Sequence, residues 1–292
     1  MTIIDCMIFE NDIKRSNENF LELYRRRSTL CLRGGQLFRF LHLPFFHNLN
    51  PKLKGVDDDT LIVFDGAVYD RYTLKYIAGH NKGKRLIFYY WDPVWRAIDP
   101  KFIPAAYEIW SYSYTDCEKY GFLFNPTFFF DNREEEGSHD ILYDVYFLGK
   151  DKGRKRELAK LEQMLTNIGL RSLFYVTANH PKLQKKGYLP PISYAENLEY
   201  VQKSKCLLDF YVDETAGLSL RTMESLFYNK KLITNNKQIL RFDFYRKDNI
   251  FILGVDEEKE LADFIDAPYS PVDASIKEKY LFANWLKRFE EG

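Results

Sequence analysis

A loop with a high density of positive charge lies near the middle of the chain. It begins with Gly149 and places five cations within seven positions: Lys150, Lys152, Arg154, Lys155 and Arg156. Glycine lets the backbone approach a ligand closely, and lysine and arginine side chains neutralise phosphate oxygens. The segment lacks the Gly-Lys-Ser/Thr ending of a Walker A motif. The residues alone leave two interpretations: a phosphate-binding turn of another kind, or a solvated basic turn.

A second candidate anion site begins with the segment Gly217, Leu218 and Ser219, in which Leu218 is flanked by two small residues. The apolar run 206–210 before them predicts a strand, and the pattern over 220–228 predicts a helix. The Ser219 hydroxyl is suited to cap that helix. A helix start also offers unpaired N–H groups and the positive end of a dipole, which together attract an anion.

The helix after Ser219 carries three more candidates, Arg221, Thr222 and Glu224. Arg221 either adds charge to the phosphate pocket or pairs with Asp213 or Glu214. Thr222 either donates to a phosphate or is an ordinary helix residue. Glu224 falls in the apolar stripe of the helix, where a carboxylate is costly unless a neighbour hydrogen-bonds to it or pairs with it.

These segments resemble the donor-binding half of GT-B glycosyltransferases, in particular bacterial enzymes that build surface polysaccharides. The resemblance covers about residues 143–252. It implies that Gly217, Leu218 and Ser219 lie beneath a nucleoside diphosphate and that Glu224 holds the ribose hydroxyls. Many retaining members carry a further Glu eight positions before that carboxylate. Here that position is Ala216, so the resemblance leaves the stereochemistry open.

The basic loop and one tyrosine extend this resemblance. The loop from Gly149 resembles the first loop of the GT-B donor domain, which implies that Gly149, Lys152, Arg154 and Arg156 meet the diphosphate. By analogy Tyr194 lines the nucleobase; the alternative is a core tyrosine. The donor is then a nucleotide sugar, which is a substrate, and no other cofactor is implied.

Apolar runs alternate with helical periods along the whole chain, which predicts an α/β fold. The resemblance implies two Rossmann-like domains that face each other across a cleft, with a C-terminal helix returning to the first. We expect an acceptor-side domain over residues 1–135, a donor domain over 136–270 and the helix within 271–292. The polar, acidic segment 128–139 predicts the linker. In the first domain, residues 13–27 predict a helix, and 60–65 and 85–91 predict buried strands.

Acidic residues close the predicted strands of the first domain. Asp65 and Asp92 are the candidate catalytic residues, because an inverting transfer needs a base to take the proton of the acceptor hydroxyl. Asp116, His42 and His47 are further candidates. Aspartate also closes strands merely as a turn former. The sequence shows no two-His-plus-carboxylate group, so we expect no metal.

Charge balance limits the class of partner. Lys+Arg and Asp+Glu both total 42 and the net charge is zero, which argues against a general nucleic-acid binder. The cysteines are scattered without a CxxC pair, which favours reduced thiols and a cytoplasmic protein. We expect neither a signal peptide nor a membrane span. Residues 25–49 are basic and apolar, which indicates either peripheral contact with the inner face of a membrane or a core helix with a solvated arginine face.

The resulting hypothesis is a metal-independent glycosyltransferase of bacterial surface polysaccharide (capsule or lipopolysaccharide) synthesis. Its partners are a nucleotide-sugar donor and a glycan or lipid-linked acceptor. Two alternatives keep the fold and change the activity. One is a catalytically inactive nucleotide-binding partner subunit, and the other is an epimerase that acts on the nucleotide sugar itself.

Overall fold

The computed structural model describes residues 1–25, 49–65, 71–131, 140–180, 187–212 and 216–291. The chain divides into two compact units. Unit 1 consists of Met1–Pro126 and Leu286–Gly292, and unit 2 of Thr127–Trp285. Most of the predicted linker, the predicted boundary at residue 135 and nearly all of the basic, apolar segment lie outside the described residues.

Unit 1 is built on a six-stranded parallel sheet of order β2-β1-β3-β4-β5-β6. The runs in its central strands are buried on both faces, as a parallel sheet between helices requires. The strands are β1 (Thr2–Ile4), β2 (Asn19–Leu21), β3 (Thr60–Phe64), β4 (Arg85–Tyr90), β5 (Tyr107–Ser111) and β6 (Leu123–Phe124). In the described part of residues 1–126, its helices are α1 (Glu10–Arg15), α2 (Arg71–His80) and α3 (Tyr114–Tyr120).

The helix predicted over residues 13–27 is wrong in its second half. Helix α1 ends at Arg15, and strand β2 follows at residues 19–21. The chain reverses through Asn17, which has a positive φ of 64°. Asparagine tolerates this left-handed conformation better than most residues, and a helix cannot continue through it.

Unit 2 is built on a five-stranded parallel sheet of order β11-β10-β9-β7-β8. Its strands are β7 (Tyr143–Lys150), β8 (Ser172–Thr177), β9 (Ser204–Asp209), β10 (Lys231–Thr234) and β11 (Ile250–Ile252). Its helices are α4 (Lys155–Asn167), α5 (Tyr194–Gln202), α6 (Leu220–Phe227), α7 (Leu261–Asp266), α8 (Ala274–Glu278) and the first part of α9 (Phe282–Glu291). Two parallel-sheet α/β units confirm the predicted Rossmann-like domains.

The first and last segments of unit 2 are joined by main-chain hydrogen bonds. Phe129 forms a parallel bridge with Leu281. Its N–H donates to the Tyr280 carbonyl at 2.8 Å, and its carbonyl accepts from Phe282 N–H at 2.9 Å. The Phe128 ring packs 4.5 Å from that of Trp285. The unit is therefore closed by residues about 150 positions apart in sequence.

The second half of α9 belongs to unit 1. Phe289 is fully buried there, with its ring 4.8 Å from Trp110 and 6.1 Å from Tyr89. Among the described residues, no helix has the length and apolar character needed to cross a bilayer.

Candidate donor site and strand-end carboxylates

The order of the second sheet brings the two predicted anion loops together. Strand β7 pairs with β8 on one side and with β9 on the other. The chain reverses direction across the sheet at this point, and open α/β sheets bind ligands in such a crevice at the carboxyl ends of the strands. The basic loop follows β7, and the segment leading to α6 follows β9. Both therefore lie at the carboxyl ends of the strands of this sheet.

Arg154 is the cation of the basic loop that lies inside this crevice. It is half-buried at the N-cap position of α4. Its Nε and Nη2 donate to the Lys150 carbonyl at 3.2 and 3.1 Å, and its Nη1 donates to the Phe210 carbonyl. The guanidinium carbon lies 4.8 Å from the centre of the Phe147 ring. The side chain is thus held between the loops that follow β7 and β9.

Gly149 leaves the space that Arg154 occupies. A Cβ at this position would lie 2.5 Å from Nη2 of Arg154 and 3.0 Å from Cζ of Phe147. Carbon atoms do not approach these groups so closely without displacing them. Gly149 is therefore needed for Arg154 to occupy its observed position.

Arg221 approaches the same ring from α6. Its guanidinium carbon lies 5.0 Å from the centre of the Phe147 ring, and its Nη2 donates to the Leu148 carbonyl. Its Nη1 forms an ion pair with Oδ1 of Asp209 at 2.8 Å. The sequence suggested Asp213 or Glu214 as the acidic partner, and both lie outside the described residues.

Asp209, the last residue of β9, organises the start of α6. It is 2% exposed. Besides the Arg221 ion pair, its Oδ2 accepts from the hydroxyls of Ser219 and Thr222. Asp209 is not among the residues predicted from the sequence. The available signal was a lone acid that closes an apolar strand. It is followed by Ser219, Arg221 and Thr222 at the start of a helix, and these three side chains can donate hydrogen bonds to a carboxylate.

The predicted N-cap at Ser219 is confirmed by geometry. Its Oγ accepts from Arg221 N–H at 3.1 Å. Its own N–H donates to the Tyr211 hydroxyl at 2.8 Å. Gly217 and Leu218 before it are buried, and the Leu218 carbonyl accepts from the Thr127 hydroxyl. Thr222 is buried, and its hydroxyl donates to Asp209 instead of to solvent.

Among the described residues, the positive charges in this crevice outnumber the carboxylates paired with them. Arg221 has Asp209, but no carboxylate in the described part of the chain lies within ion-pair distance of Arg154. Burial, followed by the positive charge of Arg221, lowers the pKa of Arg154 to about 10. A half-buried guanidinium next to a second one is stabilised by any anion that enters.

Glu224 lies in the same unit, buried on α6. Its Oε1 accepts from Asn197 Nδ2 at 3.0 Å, and Tyr194 also hydrogen-bonds to it. The Asn197 Oδ1 in turn accepts from the Tyr146 hydroxyl at 3.1 Å. Burial raises the Glu224 pKa to about 7, although Arg221 and the two hydrogen bonds act in the opposite direction. The carboxylate is thus hydrogen-bonded as its cost in an apolar stripe requires, and Tyr194 is its neighbour.

The rest of the basic loop is held by other contacts. Lys152 is exposed with a positive φ of 48°, and its N–H donates to Asn179 Oδ1 at 2.8 Å. Asp151 accepts from the Tyr188 hydroxyl at 2.7 Å. Arg156 lies with Lys160 and neighbouring residues along an open groove on α4. The structure therefore brings Gly149, Arg154, Ser219 and Arg221 together and places Arg156 on another face.

The candidate bases lie in unit 1, where strands β3 and β4 end. Asp65 is 4% exposed, and its Oδ2 accepts from Asp92 N–H at 2.9 Å. Asp116 is 5% exposed, and its Oδ2 accepts from Val94 N–H at 3.0 Å. Asp92 itself is exposed. Asp65 and Asp116 therefore brace the turn after β4, whereas the Asp92 carboxylate is accessible. The candidates His42 and His47 lie outside the described residues.

No family model matches the sequence, and no curated protein matches it. Solved structures do match. An alpha-glucosyltransferase in complex with UDP and a 13-mer DNA containing a HMU base gives a TM-score of 0.53 at 13% identity, over 99% of this chain and 92% of that one. T4 phage BGT in complex with its UDP-glucose substrate gives 0.52 at 14%, over 99% and 97%. The catalytic domain of Starch Synthase IV from Arabidopsis thaliana, bound to ADP and acarbose, gives 0.51 at 9%, over 89% and 75%. The likeness shows the fold: two α/β units of the GT-B class.

Proposed function

We propose that the chain is a glycosyltransferase that uses a nucleoside-diphosphate sugar. One observation carries this proposal: Arg154 is a half-buried cation beside Arg221, at adjoining strand ends, with no described carboxylate paired to it. A diphosphate supplies the missing negative charge, and arginine binds phosphate oxygens in a bidentate manner. The start of α6 lies beside it, where the helix dipole adds to the attraction.

Glu224 is the proposed partner of the ribose hydroxyls. It is held by Asn197 and Tyr194 in the same unit as the two arginines. A carboxylate accepts from both hydroxyls of a ribose when it is ionised, and a cation nearby favours the ionised form. In the proposed complex, the phosphates of the nucleoside diphosphate contact Arg154 and Arg221, and its ribose contacts Glu224.

The proposed reaction transfers the sugar to an acceptor hydroxyl. The bond between the anomeric carbon and the diphosphate oxygen breaks, and the diphosphate leaves with the electron pair. The acceptor oxygen forms the new bond and gives up its proton. Arg154 and Arg221 stabilise the charge that develops on the leaving group, a role that a divalent ion plays in other enzymes. The proposal is therefore a metal-independent transfer, and full activity in a chelator such as EDTA tests that part.

Asp92 is the proposed base. Its carboxylate is exposed at the end of β4, whereas Asp65 is buried and accepts the Asp92 N–H. A base must reach the hydroxyl proton directly or through one water, and an exposed carboxylate on a braced turn meets this requirement. Asp65 is then a residue that positions the turn.

The proposed setting is bacterial surface polysaccharide synthesis, with a glycan or lipid-linked acceptor. A second candidate acceptor is a modified base in DNA. Its support is the solved alpha-glucosyltransferase bound to DNA, which matches this chain over nearly the full length of both. The zero net charge of the chain favours the glycan, since DNA binding rests on an excess of cations.

The test is a titration with nucleoside diphosphates followed by turnover assays. Saturable binding that is weakened in both Arg154→Ala and Glu224→Ala is the expected result. Absence of binding for every nucleobase contradicts the proposal. Binding without product, across panels of donors and acceptors, identifies an inactive partner subunit. Product that forms without any acceptor identifies an epimerase.

A further inference from the structure

Trp95 stands out on the surface of unit 1. It is 63% exposed, more than any other large hydrophobic residue in the described part of the chain. It lies three positions after Asp92, in a 3-10 turn over Val94–Arg96. This turn follows β4, so Trp95 belongs to a segment at the carboxyl ends of the strands. Open α/β sheets bind ligands at these ends.

The turn that carries Trp95 is fixed from several sides. Two buried carboxylates, Asp65 and Asp116, accept the backbone N–H groups of Asp92 and Val94 at 2.9 and 3.0 Å. The Tyr90 hydroxyl donates to the Ile98 carbonyl at 2.6 Å, beyond the turn. The backbone beneath this exposed ring is already ordered. Ligand binding there therefore costs little backbone conformational entropy.

Arg96 adds a polar group to the same surface. Its guanidinium carbon lies 4.7 Å from the centre of the Trp95 ring. An aromatic face is electron-rich and attracts the weakly positive C–H groups of a sugar ring. Guanidinium N–H groups donate to hydroxyl oxygens, and the Asp92 carboxylate accepts from hydroxyls. We infer that Trp95, Arg96 and Asp92 form a binding site for a neutral sugar ring of a saccharide.

The charge of this surface favours a neutral saccharide over a polyanion as its ligand. The charged residues along 92–101 are Asp92, Arg96, Asp99 and Lys101, and Asp99 is paired with Lys101 at 2.7 Å. The buried carboxylates of Asp65 and Asp116 add negative charge beneath. In this described stretch no excess of cations is present to hold the phosphates of DNA or of an anionic glycan. The inference deepens the proposed function, because it assigns the class of its acceptor.

The experiment measures binding of oligosaccharides to the full chain in the absence of nucleotide. The probes are neutral oligosaccharides, oligosaccharides that carry carboxylates or phosphates, and single- and double-stranded DNA. Neutral oligosaccharides are expected to bind, with affinity reduced at least tenfold in Trp95→Ala and largely restored in Trp95→Tyr. Equal affinity in Trp95→Ala, binding of only the charged probes, or binding of none overturns the inference.

Tyr120→Ala is the matched control. Tyr120 is 40% exposed and has Lys119 4.9 Å from its ring centre, so it is also an exposed aromatic beside a cation. It ends α3, and its ring stacks on that of Phe122 at 5.3 Å. Its removal is expected to leave saccharide affinity unchanged. Nucleoside-diphosphate binding is measured in parallel. If that binding is absent while Trp95-dependent saccharide binding persists, the proposed function fails and the saccharide site stands.

Discussion

Arg154 and Arg221 lie on the same aromatic ring, with their guanidinium carbons 4.8 and 5.0 Å from the centre of Phe147. They follow two neighbouring strands, Arg154 in the loop after β7 and Arg221 in α6 after β9. Only Arg221 has an acidic partner among the described residues, which is Asp209. Among the described residues, one of the two positive charges is therefore balanced by a carboxylate, which supports the proposed anion site.

Replacement of Arg154 by Ala is expected to weaken nucleoside-diphosphate binding by about ten- to a hundredfold. Hydrogen bonds to charged groups contribute about 1.5–3 kcal/mol, and about 1.4 kcal/mol corresponds to a factor of ten. Isothermal titration calorimetry measures the change. Arg156→Ala is the control, because Arg156 lies on the open face of α4. Equal losses in both variants would point to general electrostatic attraction and not to a site.

Gly149→Ala is expected to displace Arg154 and to reduce diphosphate affinity without changing any charge. The added methyl would lie 2.5 Å from Nη2 of Arg154. Gly79→Ala is the matched control, since Gly79 lies in α2 with no heavy atom within 4 Å of an added Cβ. That substitution is expected to stabilise the protein by about 0.5–1 kcal/mol. Unchanged affinity in Gly149→Ala would show that the arginine has another position available.

Asp209→Ala is expected to lower the free energy of unfolding by about 3–5 kcal/mol, because it leaves the Arg221 charge without its buried partner. It also removes the acceptor of the Ser219 and Thr222 hydroxyls. Urea denaturation gives the value. Asp266→Ala in the same unit breaks an exposed ion pair with Lys205 at 2.8 Å and is expected to cost at most about 1 kcal/mol. Similar losses in the two variants would contradict the role assigned to Asp209.

The buried Glu224 predicts a pH dependence of stability. Its pKa is raised from 4.5 to about 7 in the folded protein, so the folded state binds more protons than the unfolded state between these values. The contribution of Glu224 to the free energy of unfolding therefore falls as the pH rises through this window, by on the order of 3 kcal/mol. The difference between wild type and Glu224→Gln, measured by urea denaturation from pH 4.5 to 8, isolates this contribution. A difference that does not change with pH would show that the carboxylate titrates normally.

The fold was largely predictable because its signals are local. Apolar runs such as 61–64 and 86–90 are buried in parallel strands as their composition predicts. The Ser219 cap and the apolar face of α6 also follow from neighbouring residues. The strand at residues 19–21 was missed, because a short edge strand beside a helix has the same apolar content as another helical turn.

The site was predictable only in part, because its contacts join distant segments. The convergence of the two loops depends on the order of the strands, which places β7 beside β9. Asp209 was missed because a single acid at a strand end is usually a turn former, and its three donors are seen only after folding. The position of Arg156 depends on where α4 begins, and a shift of two residues decides which cation enters the crevice.

The bridge between Phe129 and Leu281 determines how late unit 2 can complete its folding during synthesis. The main-chain groups of Phe129 find their partners only when Tyr280 and Phe282 have left the ribosome. Domains generally fold as units as the chain emerges, and pairings between remote segments form slowly. Unit 2 of the nascent chain is consequently expected to stay open until residues 280–282 have emerged, so a premature stop before this segment is expected to release an aggregation-prone product.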